Sequence, residues 1–379
     1  MSPGTRSTQD SVVEMMSDTI DNSSDAGIGS AQLTSQDELS SIVEQFPTSG
    51  LDYAFGYGSG VLRQGPALQQ PNSGDAKVGM IDLIMAVDDA RSWHTANLSQ
   101  NRHHYSSLAA LGGPPFISWI QKGFGAMLYF HPFVPVSLQS EGSQTIHREI
   151  KYGIVSTDDL VQDLLDWRYL YLAGRMHKPV VPVKGLVSDG SDEIEEAQAA
   201  NLMAAVSAAM LLQNTNRENV PTDSMPMSEL FRTIASLSYT GDPRMKAGAE
   251  DPNKVANLVK SAGMLRLWEN KYAATFDELQ KVGILSINRS ADGTREVQFP
   301  HGDKSTRKQL VANLPVRLQD RTDEIASTST GSSFLRKEIS NIVAPAARSQ
   351  SMKGLLTAGP VKSWNYIAAK LLKGLLRRR

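Results

Sequence analysis

Two short stretches have the residue types that handle phosphate. In Phe55-Gly56-Tyr57-Gly58-Ser59-Gly60-Val61 the glycines let backbone N–H groups approach a polyphosphate unobstructed. Ser59, expected where a helix begins, adds a hydroxyl donor. Downstream, Met80-Ile81-Asp82-Leu83-Ile84 sets one carboxylate inside an apolar run of strand length, Val78 to Val87. A buried carboxylate needs a cation beside it, and magnesium on Asp82 next to a nucleoside triphosphate meets that need. An ordinary tight turn and one buried acid are the plain alternative.

Other residues join this chemistry at lower specificity. Lys151, on the apolar strand Ile150 to Val155, either neutralises triphosphate charge or is a strand-edge lysine, and Glu149 beside it is a candidate second carboxylate. Arg175 and Lys178 either form a basic phosphate pocket or serve as partners of a helix C-terminus. A glycine-serine turn ahead of an acid-bearing strand suggests a nucleotidyltransferase of the polymerase-β-like type. His94, His103 and His104 lack the usual zinc-ligand spacing, and with no cysteine in the chain, cysteine-based zinc sites, disulfides and thiol catalysis are excluded.

The positioning elements follow from patterning. A chain of 379 residues, 40% hydrophobic, can form two modest cores. We expect an α+β fold with four regions. Residues 1–36 are acidic and polar, expected to be disordered, and resemble neither a presequence nor a secretory signal. Residues 37–186 form the nucleotidyltransferase domain. It opens with an amphipathic helix from Asp37 that ends before Pro47, and Asp88-Asp89 closes the acid-bearing strand and caps the next helix. A further helix is expected from Thr157-Asp158-Asp159 through Asp163 and Tyr171 to Gly174.

A Ser/Asp/Gly stretch at 187–193 leads into residues 187–320. There, helices near 193–213, 227–239, 253–268 and 276–281 precede strands 282–288 and 295–299, a winged-helix-like order. Its mixed charge, with no Lys/Arg stripe, argues against nucleic acid as a partner. Residues 321–379 end strongly basic, with no acid after Glu338. A helix over 361–379, opened by Pro360, puts Trp364, Ile367 and Leu371 on one face, with Lys370, Lys373 and Arg377 supplying charge. That pattern fits a helix lying in an anionic membrane interface; docking on the protein's own core is the alternative. No stretch is long and apolar enough to span a bilayer.

Tyr57-Gly58-Ser59-Gly60-Val61, Asp82, Trp93-His94, Asn97-Leu98, Asn101, His104-Tyr105-Ser106 and Lys151-Tyr152-Gly153 form a combination with Asp163-Leu164, Leu170-Tyr171 and Ala173-Gly174-Arg175. Lys178-Pro179, Tyr239-Thr240-Gly241-Asp242 and Lys353-Gly354 complete it. The set, from about residue 40 to the C-terminus, resembles the translocator assembly and maintenance family of mitochondrial CDP-diacylglycerol synthases. The resemblance implies a peripheral enzyme on the matrix face of the inner membrane, joining CTP to phosphatidic acid, releasing pyrophosphate and feeding cardiolipin synthesis. It implies Tyr57, Gly58, Ser59, Gly60, Lys151 and Lys178 at the nucleotide, with Asp82, Ser59 and Lys151 serving the reaction. Lys254 and Asn257 are candidates for the lipid phosphate. Asp82 is followed by Leu83-Ile84 rather than by the second acid of the common polymerase-β pattern. Transfer to RNA and a non-enzymatic import scaffold are the rival readings.

Overall fold

A computed structural model describes residues 32–33, 35–63, 79–139, 145–183, 189–213, 224–246, 253–291 and 293–376. The fold is mixed α+β. Strands β1 (Gln32–Leu33) and β3 (Leu62–Arg63) form a small antiparallel pair. The main sheet contains β2 (Leu51–Tyr57), β4 (Ile81–Val87), β5 (Tyr129–Gln139), β6 (Thr145–Ser156) and β7 (Val181–Pro182), in the order β5-β6-β4-β2-β7. Only β4 and β6 run parallel; the other neighbours are antiparallel. The near-continuous apolar sequence of β4 suits this central place, because both of its faces are covered.

On one face, Ile81, Leu83, Met85, Tyr152 and Ile154 pack with Leu39, Ile42, Phe46 and Trp93. These come from helix Gln36–Val43, the turn after it, and helix Ala90–Gln100. Ser35 caps the first helix by accepting from the Glu38 amide, and Asp89 caps the second by accepting from Ser92. On the other face, Phe55, Tyr57, Ile84 and Val155 join a core running through helices Thr157–Asp166 and Asp189–Leu211 to helix Met227–Leu237.

Beyond it, β8 (Ser224–Pro226), β9 (Ser286–Arg289) and β10 (Arg295–Gln298) make an antiparallel sheet in the order β8-β10-β9. Helix Ala262–Lys281 is continuous where the sequence suggests a break. Trp268, Tyr272 and Phe276 recur every fourth residue on its buried side, with neighbouring ring centroids 5.8 and 6.1 Å apart, and the stack holds the helix through that region.

Three other boundaries differ from expectation. Ser59 lies exposed in a turn that leads into β3, not at a helix start. The helix that begins at Thr157 is capped by Ser156 and stops at Asp166, because Asp163 draws the following amides out of the helical ladder. The C-terminal helix begins at Gly331 and continues to Leu376 through Pro360, anchored by buried Leu335, Ile339, Ile342 and Val343. The side chains of Trp364, Ile367, Lys370, Leu371 and Lys373, and all of Arg377, lie outside the described residues, as do residues 1–31 of the tail 1–36 expected to be disordered. Within its last residues Gln32–Leu33 form β1, and Ser35 caps the helix that begins at Gln36.

Candidate active site

Tyr57, Asp82 and Lys151 stand in one row across three adjacent strands: Tyr57 pairs with Asp82 and Asp82 with Lys151. Cross-strand partners project to the same face, so the sheet brings a phenol, a carboxylate and an amine together. The Lys151 Nζ is 3.4 Å from Asp82 Oδ1, with the two side chains 28% and 23% exposed. The same amine lies 4.2 Å from the centroid of the Phe130 ring. Burial lowers the Lys151 pKa, but electrostatic coupling to Tyr57 and then to the Asp82 carboxylate outweighs it and raises the net value.

The glycine turn folds over this row. Val61 and Leu62 both donate to the Gly58 carbonyl, at 3.2 and 2.8 Å. Gly58 has φ +79°, and a Cβ there would lie 3.5 Å from Asp82 Oδ2, so the turn sits directly beside the carboxylate. A Cβ on Gly60 would run into the Met80 carbonyl oxygen; the absence of a side chain lets the turn pack on the segment that leads into Asp82. Glu149 is exposed and pairs with Pro135, one residue before β6 meets β4, so it does not share the Asp82 row.

A cationic cluster faces the row. The Arg175 guanidinium carbon lies 4.0 Å from the Tyr57 ring centroid and 5.6 Å from that of Tyr171. Its Nε is buried with no hydrogen-bond partner among the described residues, and so is the Tyr57 hydroxyl. Burial pushes the Tyr57 pKa up to about 12, with the Arg175 cation pulling against it, which leaves a neutral phenol at neutral pH. Lys178 and Lys254 share the Tyr239 ring at 4.6 and 5.4 Å. Burial first, then the charges of Arg175 and Lys254, push Lys178 well below the ordinary lysine range. Its Nζ donates to the Gly174 carbonyl at 2.7 Å and to Ser238 Oγ at 2.8 Å. Lys178 thus bonds a carbonyl of helix Ala173–Met176, as the helix-end reading expects, and lies beside Arg175 and Lys254.

The segment carrying Arg175 is organised by a residue the sequence flagged only through a motif. Asp163 is fully buried and accepts five backbone amides: Tyr169 and Leu170 on Oδ1; Tyr171, Leu172 and Ala173 on Oδ2. Trp167 and Leu170 take left-handed φ values of 49° and 51° to present them. Tyr272 adds a tie, its hydroxyl donating to the His177 carbonyl at 2.8 Å.

The histidine-tyrosine residues lie elsewhere. His94 bonds the Tyr105 hydroxyl through Nδ1 and Gln121 Oε1 through Nε2, each at 2.9 Å. Asn97 donates to the hydroxyls of Tyr105 and Tyr152, and His104 Nδ1 bonds Tyr152. Tyr152 neighbours Lys151 and points to the opposite face of β6, so this network supports the strand from behind. Among the described residues no group of three His, Asp or Glu is arranged to hold a metal. A lone carboxylate beside a polyphosphate still suits magnesium, which takes one or two protein carboxylates and completes its shell with phosphate oxygens and water.

Residues 39–373 match the family model described as mitochondrial phosphatidate cytidylyltransferase. The mitochondrial phosphatidate cytidylyltransferase of Xenopus laevis is 37% identical over 357 residues, covering 89% of this chain and 95% of that protein. The protein of the same name from Danio rerio is 37% identical over 346 residues, 88% of this chain and 93% of its own. The one from Schizosaccharomyces pombe is 34% identical over 365 residues, 90% of this chain and 85% of its own. With a glycine turn, an acid-bearing strand and a cationic cluster meeting at one sheet face, the chain belongs to the mitochondrial phosphatidate cytidylyltransferase family.

Proposed function

We propose that the protein transfers the cytidylyl group of CTP to phosphatidic acid, giving CDP-diacylglycerol and pyrophosphate for cardiolipin synthesis. The observation that carries the reading is the Tyr57–Asp82–Lys151 row under the Gly58-Ser59-Gly60 turn, faced by Arg175, Lys178 and Lys254. It offers one carboxylate for a metal and an excess of cations for a polyphosphate.

A phosphate oxygen of phosphatidic acid attacks the α-phosphorus of CTP, and the bond to the β-phosphate oxygen breaks. The second pKa of a phosphomonoester is about 6, so the attacking oxygen already carries its charge at neutral pH. No general base is needed, which agrees with histidines that lie behind the sheet. Asp82 would hold magnesium, which supplies charge neutralisation on the triphosphate and the leaving pyrophosphate. Amides of the Gly58–Gly60 turn and the Ser59 hydroxyl orient the phosphates. Lys151, Arg175 and Lys178 neutralise charge as it moves to the leaving group.

In this reading residues 37–186 are a nucleotidyltransferase domain, 187–320 a winged-helix-like domain, and 321–379 a basic region that holds the enzyme to the matrix face of the inner membrane. The described residues contain no helix long and apolar enough to cross a membrane. The test is formation of lipid-extractable product from radiolabelled CTP on phosphatidic-acid vesicles with magnesium. Asp82→Ala is expected to lower turnover at least ~1000-fold while melting at the wild-type temperature. Substantial turnover by a folded Asp82→Ala protein would remove Asp82 from the mechanism.

A further inference from the structure

Helix Ser107–Gly123 exposes an apolar surface that the nucleotide site does not use. Leu111 is 83% exposed, Trp119 63% and Leu108 59%. Three of the seven large exposed hydrophobic side chains among the described residues thus lie on one helix. A fourth, Met352, is on the C-terminal helix, next to Lys353, whose Nζ donates to the Gln121 carbonyl at 2.7 Å. Trp119 is held as part of an aromatic edge, its ring stacked on Phe116 at 6.0 Å and set against Phe124 at 6.1 Å.

The helix is shaped to present this surface. Gly113 leaves the helical region at φ 69°, ψ −173°, and Pro114-Pro115 restarts the helix on a new axis. Ile117 and Ile120 go inward to Tyr105 and Tyr129, while Leu108, Leu111 and Trp119 are left outside.

Charge identifies the occupant. From residue 90 to residue 140 there is no Asp or Glu, in a chain with 40 of them, whereas Arg91, Arg102 and Lys122 are all exposed in this stretch. Helix Ser107–Gly123 thus carries exposed leucine and tryptophan with one cation, Lys122, and no acid of its own, Asp89 being a carboxylate close enough to feel the Lys122 charge. Such a surface complements an anionic lipid interface, where tryptophan sits at headgroup depth. The C-terminal helix crosses this end of the molecule and runs on without a break to Leu376. Trp364 of the basic tail follows Lys353 by ~17 Å of helical rise.

We propose that helix Ser107–Gly123 is a second membrane-docking surface, inserting Leu108, Leu111 and Trp119 into an anionic bilayer alongside the C-terminal helix. It rests on the lipid-transferase reading for the choice of bilayer. Two contacts at separate points fix the orientation of the molecule on the membrane, which a single tail helix does not.

The test uses full-length protein carrying Leu111→Glu and Trp119→Glu, both at exposed positions. Co-sedimentation is measured with vesicles of phosphatidylcholine mixed with cardiolipin, against phosphatidylcholine alone. The double variant is expected to bind the anionic vesicles at least ~10-fold more weakly than wild type. Its turnover of a short-chain phosphatidic acid kept below its micellar concentration should be unchanged. Brominated lipids should quench wild-type fluorescence more than that of Trp119→Phe. Wild-type binding by the double variant, or quenching indifferent to Trp119→Phe, would overturn the proposal. So would a wild-type dimer that these substitutions convert to monomers, because the patch would then be a contact between copies. Loss of turnover on the short-chain substrate by wild type itself would instead count against the transferase reading, independently of vesicle binding.

Discussion

Arg175 faces two tyrosine rings and, among the described residues, forms no ion pair with a carboxylate, although its Nε is buried. A guanidinium packed over an aromatic ring keeps N–H groups for an anion that offers several acceptor oxygens, and phosphate is such an anion. Lysine cannot reproduce this, because its ammonium is a point donor on a flexible stem. Arg175→Lys is therefore expected to lower kcat/KM for CTP by about 10- to 100-fold, the equivalent of a charged hydrogen bond of about 1.5–3 kcal/mol. Steady-state kinetics with a melting curve decide the matter: an unchanged kcat/KM in a folded variant would place Arg175 outside the nucleotide site. The sequence presents Arg175 as one of two basic residues for either a phosphate pocket or a helix end, and within a family motif. Its significance comes from Tyr57 and Tyr171, which approach it through the fold.

At the scale of the element, Asp163 is the clearest case of a local rule overridden. Helical periodicity carries the pattern from Thr157 onward past Asp166, and nothing in the spacing marks a stop. The stop arises because one buried carboxylate satisfies five amides that a helix would have bonded to its own carbonyls. Truncation leaves those amides buried without an acceptor. Asp163→Ala should cost on the order of 4 kcal/mol of stability and release the segment that carries Tyr171 and Arg175. Asp163→Asn, which keeps one acceptor oxygen and turns an amide group toward the remaining donors, should fall between it and wild type. Urea unfolding of the three proteins gives this order or refutes it.

Other elements were legible. The glycine turn, the acid-bearing strand and the Lys151 strand are each readable from short-range pattern, since a turn needs glycine and a central strand needs apolar residues on both faces. Their registration in one row is not, because Asp82 and Lys151 meet through a parallel pairing across a long crossover. The aromatic ladder of Trp268, Tyr272 and Phe276 was likewise hidden by Glu269-Asn270-Lys271 and by the small residues Ala273, Ala274 and Thr275 between its rungs. The tail pattern from Trp364 to Arg377 carries its own periodicity in the sequence, and its contact with lipid is a matter for the vesicle experiment.

Across the whole molecule, buried basic groups couple folding to pH. Burial lowers His94 to about 4, with its bond to Gln121 acting against the shift. Burial and then the Lys178 charge lower His177 to about 3. Lys353, fully buried on the C-terminal helix, is lowered by burial to about 7, with Asp159 acting weakly in the other direction. Each is a base whose folded pKa lies below its unfolded value. The folded state therefore binds fewer protons, and stability is lost as pH falls from the unfolded pKa toward the folded one. For Lys353 that window runs from the ordinary lysine pKa down to about 7. For His94 it opens near 6.5 and closes at about 4, with a total on the order of 3 kcal/mol. Below pH 6.5 the two histidines act together, at about 1.4 kcal/mol per pH unit each once the unfolded state is protonated. Guanidinium unfolding at pH 7.5 and 5.5 should show a loss of roughly 2–3 kcal/mol, and His94→Gln should remove about half of that slope. Equal stability at the two pH values would mean that water or local opening reaches these rings. A full slope in His94→Gln would assign the titration to groups other than the network behind β6.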